Sequence, residues 1–384
     1  MMSSKERLIA TIRHEETDHV PLCFEGIGHQ SAAFIDRRYP NVFDRVVFYL
    51  DMEIDSAVRI SPPLLSNSGF ETREWKENDQ DESYPLLVKE YITPKGNLKQ
   101  MVRTHDYPSD SVRLFADHNV PESRSKKYLI EKEEDLEKLE YLLVPPDDND
   151  LQWYRQQTEE ARRFCDEKQV LLAGYLQGVG DPLLWMSGIE TVVMSPVLNP
   201  DFMKRYVDIV AGWNKKLLEI QIDAGIDLII RRGWYESADF WAPDLFHEFL
   251  FEPLKQEIDM AHQAGVYFTY VMNSQAKPML DIFRELGFDV YSNIDPMTLG
   301  MDLADLKHEI GDCITLCGGV NNFLVMENGT IDQVRKAVTE AMDKLSPNGG
   351  FVLGVGDVLD YQFANPETTE RNFYEMIKVW REMR

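Results

Sequence analysis

Short apolar runs rich in Val, Ile, Leu and Tyr recur along the chain, at residues 20–24, 57–60, 170–176, 228–231, 266–272, 290–292, 314–318 and 351–354. Continuous apolar runs of this kind suit strands buried on both faces, as in a parallel sheet. Between them the apolar residues recur at helical spacing, over 43–50, 151–168, 201–224, 243–264, 276–286, 303–310 and 331–345, and a last helix is expected over 367–384. Punctuation agrees: Asn199-Pro200-Asp201 opens one helix, and Gly225, Gly265 and Gly287 each follow the last turn of another. Eight alternating strand–helix units predict an α/β chain folded as a (β/α)8 TIM barrel, preceded by an N-terminal helical extension.

Residues 71–149 break the alternation. They carry charge runs and two extended segments, 84–93 and 97–104, joined by Pro94-Lys95-Gly96. The alternation of LVKEYIT and LKQMVRT predicts a half-exposed β-hairpin inserted after strand two, available as a lid or a homodimer contact. The whole chain, 1–384, therefore reads as one domain with one insertion. Asp147-Asp148-Asn149-Asp150 precedes a helix and compensates its dipole.

Composition narrows the function. With 43% hydrophobic and 11% aromatic residues the chain can bury a large core, which excludes a disordered protein. The balance of 40 Lys+Arg against 66 Asp+Glu gives −26, a poor surface for nucleic acid or an anionic membrane. No signal-peptide core and no apolar run of about 18 residues is visible, so a cytoplasmic protein is expected. Cys23, Cys165, Cys313 and Cys317 are too scattered for a disulfide framework. Cys313 and Cys317 have a spacing that zinc would permit but no second pair nearby, and they read as core residues.

A barrel does its chemistry at the C-terminal ends of its strands. There stand Glu25, His29 and Gln30; Asp55, Arg59 and Ser61; Tyr175, Gln177 and Asp181; Tyr270, Met272 and Asn273; Asn293 and Asp295; Asn321 and Asn322; and Asp357. Strand four ends in Arg231-Arg232-Gly233-Trp234-Tyr235-Glu236-Ser237, whose aromatic pair and acid suit a flat ligand. Asp181 and Asp295 fit a helix cap as well as catalysis. Arg59 needs a carboxylate, from Asp55, Glu25 or Glu236, or from an anionic substrate. His29 suits acid–base work near neutral pH. The glycines of GYLQGVGDP and GGFVLGVGD lack the lysine or the helix start that phosphate loops use.

Several segments together resemble the uroporphyrinogen decarboxylase superfamily: RLIATIRHEETDHVPL, GYLQGVGDPLLWMSGIE, KPMLDIFRELGFDVYSNIDP, GGVNNFLVMENGTIDQVRKAV and NGGFVLGVGD. The resemblance implies a (β/α)8 barrel and one of two activities. The decarboxylase branch uses an arginine-rich loop after the first strand, whereas this chain has CFEGIGHQS, and the position of a family histidine near the last strand falls on Gly356. The other branch resembles methyltransferases working with a corrinoid protein, many of them with zinc. Here the matching zinc positions carry Tyr270, Met272 and Gly356 or Asp357, so no metal is expected. The resemblance implies a methyltransferase moving a methyl group from a small O- or N-methylated, methoxyaromatic-type substrate to the cobalamin of a corrinoid-binding partner. Glu236 or Tyr235 would supply the acid, with His29 in reserve. Trp234, Tyr270 and Asn273 would position the substrate, with Glu25 and Asp357 beside it, and Arg59 would hold an anionic group. The alternatives are a decarboxylase of a small acid, using Arg59 with Arg231 or Arg232, and a non-catalytic ligand-binding barrel.

Overall fold

The computed structural model describes residues 1–24, 26–28, 32–66, 69–105, 107–359 and 365–384, so Glu25 and His29 lie outside the described residues. Seven strands, β1 (Ala57–Arg59), β6 (Leu171–Leu176), β7 (Leu228–Arg232), β8 (Tyr267–Val271), β9 (Val290–Ile294), β10 (Thr315–Val320) and β11 (Phe351–Val355), pair in parallel in that order. The expected first strand is different. Residues 20–24 form no strand among the described residues, only a parallel bridge of Leu22 with Leu353, with Cys23 N donating to Leu353 O and Asp55 N to Leu22 O.

The parallel strands are buried on both faces because alternate residues serve two separate cores. Ala57, Leu171, Ala173, Leu228, Ile230, Val271, Val290, Cys317 and Val352 form an inner cluster, joined by Leu8 and Ile12 of α1 (Ser4–Ile12). Val58, Leu172, Ile229, Phe268, Tyr270, Tyr291, Leu316 and Leu353 face the helix layer. A sheet that encloses its own cluster is curled.

The helix layer contains α2 (Ala33–Arg38), α3 (Val42–Asp51), α4 (Glu133–Leu139), α5 (Asp148–Lys168), α6 (Gly180–Leu198), α7 (Pro200–Asp223), α8 (Pro243–Phe246), α9 (Glu252–Gln263), α10 (Leu280–Leu286), α11 (Leu303–Ile310), α12 (Ile331–Leu345) and α13 (Pro366–Met383). A π turn, His247–Phe251, joins α8 to α9. Asp147 caps α5 by accepting from Asn149 N and Asp150 N, the physical use of the acidic run there. α1 begins in a Ser3–Glu6 capping box. Gly287 ends α10 in the left-handed region, at φ 70°.

A second, antiparallel sheet holds β2 (Glu71–Glu77), β3 (Leu86–Thr93), β4 (Gly96–Arg103) and β5 (Ser125–Lys127). β3 and β4 pair from Leu86–Arg103 to Thr93–Gly96, so Pro94 and Lys95 make the turn. A short 3-10 turn, Asp117–Asn119, lies between β4 and β5. Cys313 is exposed rather than core, because β10 begins after it, whereas Cys317 within the strand is buried. No helix of the described residues is long and apolar enough to cross a membrane.

Candidate active site

Arg231 and Arg232 close β7 and point to opposite faces, as successive strand residues must. Arg231 shares the outer face with Ile229 and is fully buried against the helices. It pairs with Glu236, and with Glu257 of α9 at 3.1 Å; Asn214 of α7 donates to the same Glu257. Glu236 is equally buried, and also accepts from Tyr270 Oη at 2.8 Å, Gly180 N at 2.8 Å and Val179 N at 3.1 Å. A carboxylate surrounded by four donors and cut off from solvent is an organising acceptor. This corrects three expectations. Glu236 is fully buried and engaged by these donors, away from any substrate. Tyr270 shares the outer face with Phe268, its phenol raised by burial and spent on Glu236, and it cannot position a substrate. Arg231 is closed off from any substrate carboxylate.

Arg232 shares the inner face with Ile230 and stands, 19% exposed, at the C-terminal strand ends above the inner cluster, here called the mouth. Its guanidinium lies 5.1 Å from the Trp185 ring and 5.6 Å from the Trp234 ring, and its Nε donates to Asp181 Oδ1. Asp181 is buried and accepts from Tyr235 N at 3.2 Å. Burial pushes its carboxyl up to about 6, against the pull of Arg232. Tyr175 and Arg59 stand on the same inner face, the Arg59 guanidinium 4.9 Å from the Tyr175 ring. Burial raises the Tyr175 phenol, while Arg232 and Arg59 oppose that rise. Of the carboxylates expected for Arg59, Asp55 holds Arg7 at 2.6 Å and Glu236 holds Arg231, while Glu25 lies outside the described residues. The inner face thus presents two guanidiniums and several half-buried rings at adjoining strand ends.

Tyr235 follows in a short 3-10 turn, and its hydroxyl donates to Asp117 Oδ1 at 2.9 Å. Burial, then the charge of Asp117, keeps that phenol protonated. Asp117 also accepts from Trp185 Nε1 at 2.7 Å and Arg232 Nη2 at 3.2 Å. Neither Asp117 nor Trp185 was signalled by the sequence. Asp117 reaches the mouth from the segment between β4 and β5, and Trp185 reads as one apolar residue among many. The other strand ends are quieter. Asn273 and Asp357 are half-buried, and the Asp357 carboxylate accepts from Val358 N at 2.7 Å. Asp295 accepts from Asn321 Nδ2 and Met297 N but caps no helix, since α11 opens on Asp302, and Asp181 lies inside α6 rather than at its cap. The described structure brings Arg59, Trp234 and Tyr235 to one mouth.

The glycines of GYLQGVGDP serve packing. A side chain at Gly178, whose φ is +73°, would stand 2.0 Å from the Arg232 carbonyl, and one at Gly180 would stand 2.5 Å from Glu236 Cγ. The turn after β6 therefore lies directly against the end of β7, with Asp181 placed beside Arg232 as a result. At the positions that the resemblance matched to zinc ligands, Tyr270 and Met272 are fully buried and Gly356 has no donor, which leaves the Asp357 carboxylate alone. Among the described residues no group of three or more His, Cys, Asp and Glu is arranged to hold a metal ion.

Residues 115–382 match the family model of uroporphyrinogen decarboxylase (URO-D), and the chain belongs to that family. A methyltransferase from Methanosarcina mazei has a similar structure at 19% identity, with a TM-score of 0.63, over 100% of this chain and 99% of that one. At that identity the likeness establishes a shared fold. A B12-independent methionine synthase from Shewanella sp. W3-18-1 aligns over 95% of this chain and 96% of its own, at 8% identity and a TM-score of 0.43, too low to carry weight. No curated protein matches the chain.

Proposed function

We propose that this chain is a methyltransferase that takes a methyl group from a small methylated compound bearing an anionic group, a methoxyaromatic carboxylate being the class its mouth suits. The acceptor on this reading is the corrinoid of a partner protein. The observation that carries the reading is Arg232 flanked by Trp185 and Trp234, with Tyr175 and Arg59 on the same inner face. A guanidinium to meet its carboxylate, with aromatic side chains around it to receive a flat ring, is what such a ligand requires. Family membership and the full-length fold likeness to a methyltransferase support it, as does the arginine-free sequence CFEGIGHQS where decarboxylases of the family bind their polyanion. On the same reading residues 20–24 complete the barrel as an eighth stave.

A reduced corrinoid on the partner would supply the electron pair for attack on the methyl carbon. The tasks left to this chain are to orient the ring, hold the carboxylate and meet the negative charge left on the ether oxygen with a proton. Tyr235 is the donor that fits: its hydroxyl is protonated and reaches the mouth. Asp181 accepts from the Tyr235 backbone N and so fixes the turn that carries this donor. Met297, Phe323 and Leu324 are exposed on the segments after β9 and β10, an apolar rim suited to a docked partner.

The test is methyl transfer to cob(I)alamin from methoxybenzoates and methylamines. Methoxybenzoates are expected to react, and Arg232→Gln to raise KM about ten- to a hundredfold through loss of a charge-assisted contact. Tyr235→Phe should lower kcat with little change in KM. Unchanged kinetics in both variants would remove this mouth from the reaction. Decarboxylation is the second reading, favoured by the pairing of Arg59 and Arg232 about Tyr175. Carbon dioxide release without corrinoid would select it, and tight binding without any turnover would point to a binding protein.

A further inference from the structure

We infer that Asp117 is an internal stand-in for the substrate's carboxylate, occupying the donors at the mouth until a free carboxylate displaces it. The inference rests on the mouth being the substrate site and adds what that site recognises. Three donors from three different positions converge on Asp117 Oδ1: Trp185 Nε1 at 2.7 Å, Tyr235 Oη at 2.9 Å and Arg232 Nη2 at 3.2 Å. These donors are fixed independently of Asp117. Trp185 is buried in α6, and Arg232 is tied to the buried Asp181 and lies against two indole rings. A guanidinium and an indole N–H aimed at one oxygen make a receptor for a carboxylate, and the Tyr235 hydroxyl released with Asp117 is left for the ether oxygen.

Asp117 fills that receptor imperfectly. Its side chain is 50% exposed, and its second oxygen receives only a 3.4 Å contact from Arg232, so no two-pronged pairing forms. Nor does the turn that carries it depend on the contact. The buried Asn119 anchors that turn, donating to Arg113 O at 2.6 Å and accepting from Ser125 Oγ at 2.6 Å. A half-exposed ion pair is a weak contact, and a ligand that also buries an aromatic ring can outcompete it. Displacing Asp117 would free the turn from the mouth, so substrate entry and opening of the segment between β4 and β5 become one event.

The experiment is calorimetric titration of benzoate and 3-methoxybenzoate into wild-type protein, Asp117→Ala and Asp117→Asn, with methoxybenzene as the uncharged control. Asp117→Ala is expected to bind both carboxylates on the order of tenfold more tightly, and methoxybenzene no better. Asp117→Asn keeps the shape and an acceptor for Trp185 and Tyr235, and should fall between; it also serves if the alanine variant folds poorly. Adding Trp185→Phe, which removes the indole donor, to Asp117→Ala should give back part of the gain. Equal or weaker carboxylate binding in Asp117→Ala, equal tightening for methoxybenzene, or no carboxylate binding by any folded variant would overturn the inference. Binding is read without methyl transfer. A protein that shows the expected affinities but transfers no methyl group would sink the methyltransferase reading and leave this one standing.

Discussion

Arg231 and Arg232 share composition, neighbours and strand, yet one is locked in the wall and the other faces the mouth. Removing Arg231 leaves Glu236 and Glu257 buried without their cation, so Arg231→Leu is expected to cost about 3–5 kcal/mol of stability in urea unfolding. A loss under 1 kcal/mol would mean that the cluster had rearranged. Asp181 gives a prediction with a definite sign. Its carboxyl lies at about 6 in the folded protein against 3.8 ordinarily, so the folded state holds a proton that the unfolded chain has lost. Its contribution to stability is complete below about pH 4 and disappears as pH rises through 6. The stability difference between wild type and Asp181→Asn should therefore fall between those limits and stay flat above them. A difference that grows with pH there would reverse the assignment.

At the scale of elements, α6 is the instructive case, because the apolar periodicity did not announce it. Its first half, Gly180 to Gly188, is buried on every side, so no polar face marks a helical period. Gly188 then breaks the run at φ 74°, ψ 170°. Ile189, Val193, Met194, Val197 and Leu198 on the second half are exposed, which blurs the pattern further. The turn feeding this helix brings Asp181 to Arg232, and its closeness to β7 is enforced at Gly178. Gly178→Ala combines an unfavourable backbone region with a clash against a carbonyl, and should destabilise the protein by roughly 1–3 kcal/mol. Binding of 3-methoxybenzoate should weaken in that variant too, since the clash pushes the Asp181 turn from β7. Unaltered binding would separate the turn from the site.

The whole molecule joins two sheets of unequal support. The parallel sheet is backed by an inner cluster and the helix layer, whereas one face of the antiparallel sheet rests on a small cluster of Leu87, Val102 and Val112, with Tyr107 against it. Native-state hydrogen exchange should therefore find the amides of Leu87 and Val102 opening at lower free energy than those of Leu172 and Ile229. Equal protection would mean that the sheets unfold as one unit. The −26 charge remains largely a surface property, with a few acids such as Asp181, Glu236 and Glu257 taken inside and paired with arginine.

Much of the architecture follows from sequence alone, because burial on both faces writes an apolar run wherever a parallel strand lies and Gly marks the helix ends. The seven paired strands and most of the helices were legible in that way. Arg59, Trp234 and Tyr235 could be named as mouth residues because strand ends are where such folds keep their reactive side chains. The tertiary structure decided what each side chain can do. Glu236 and Tyr270 are residue types that suit catalysis, but strand parity and burial commit them to holding Arg231. Asp117 and Trp185 lie far from β7 in sequence, and they become mouth residues only when the segment after β4 folds over the end of α6. Sequence marks which residues must leave water; which donor meets which acceptor depends on contacts that no local pattern encodes.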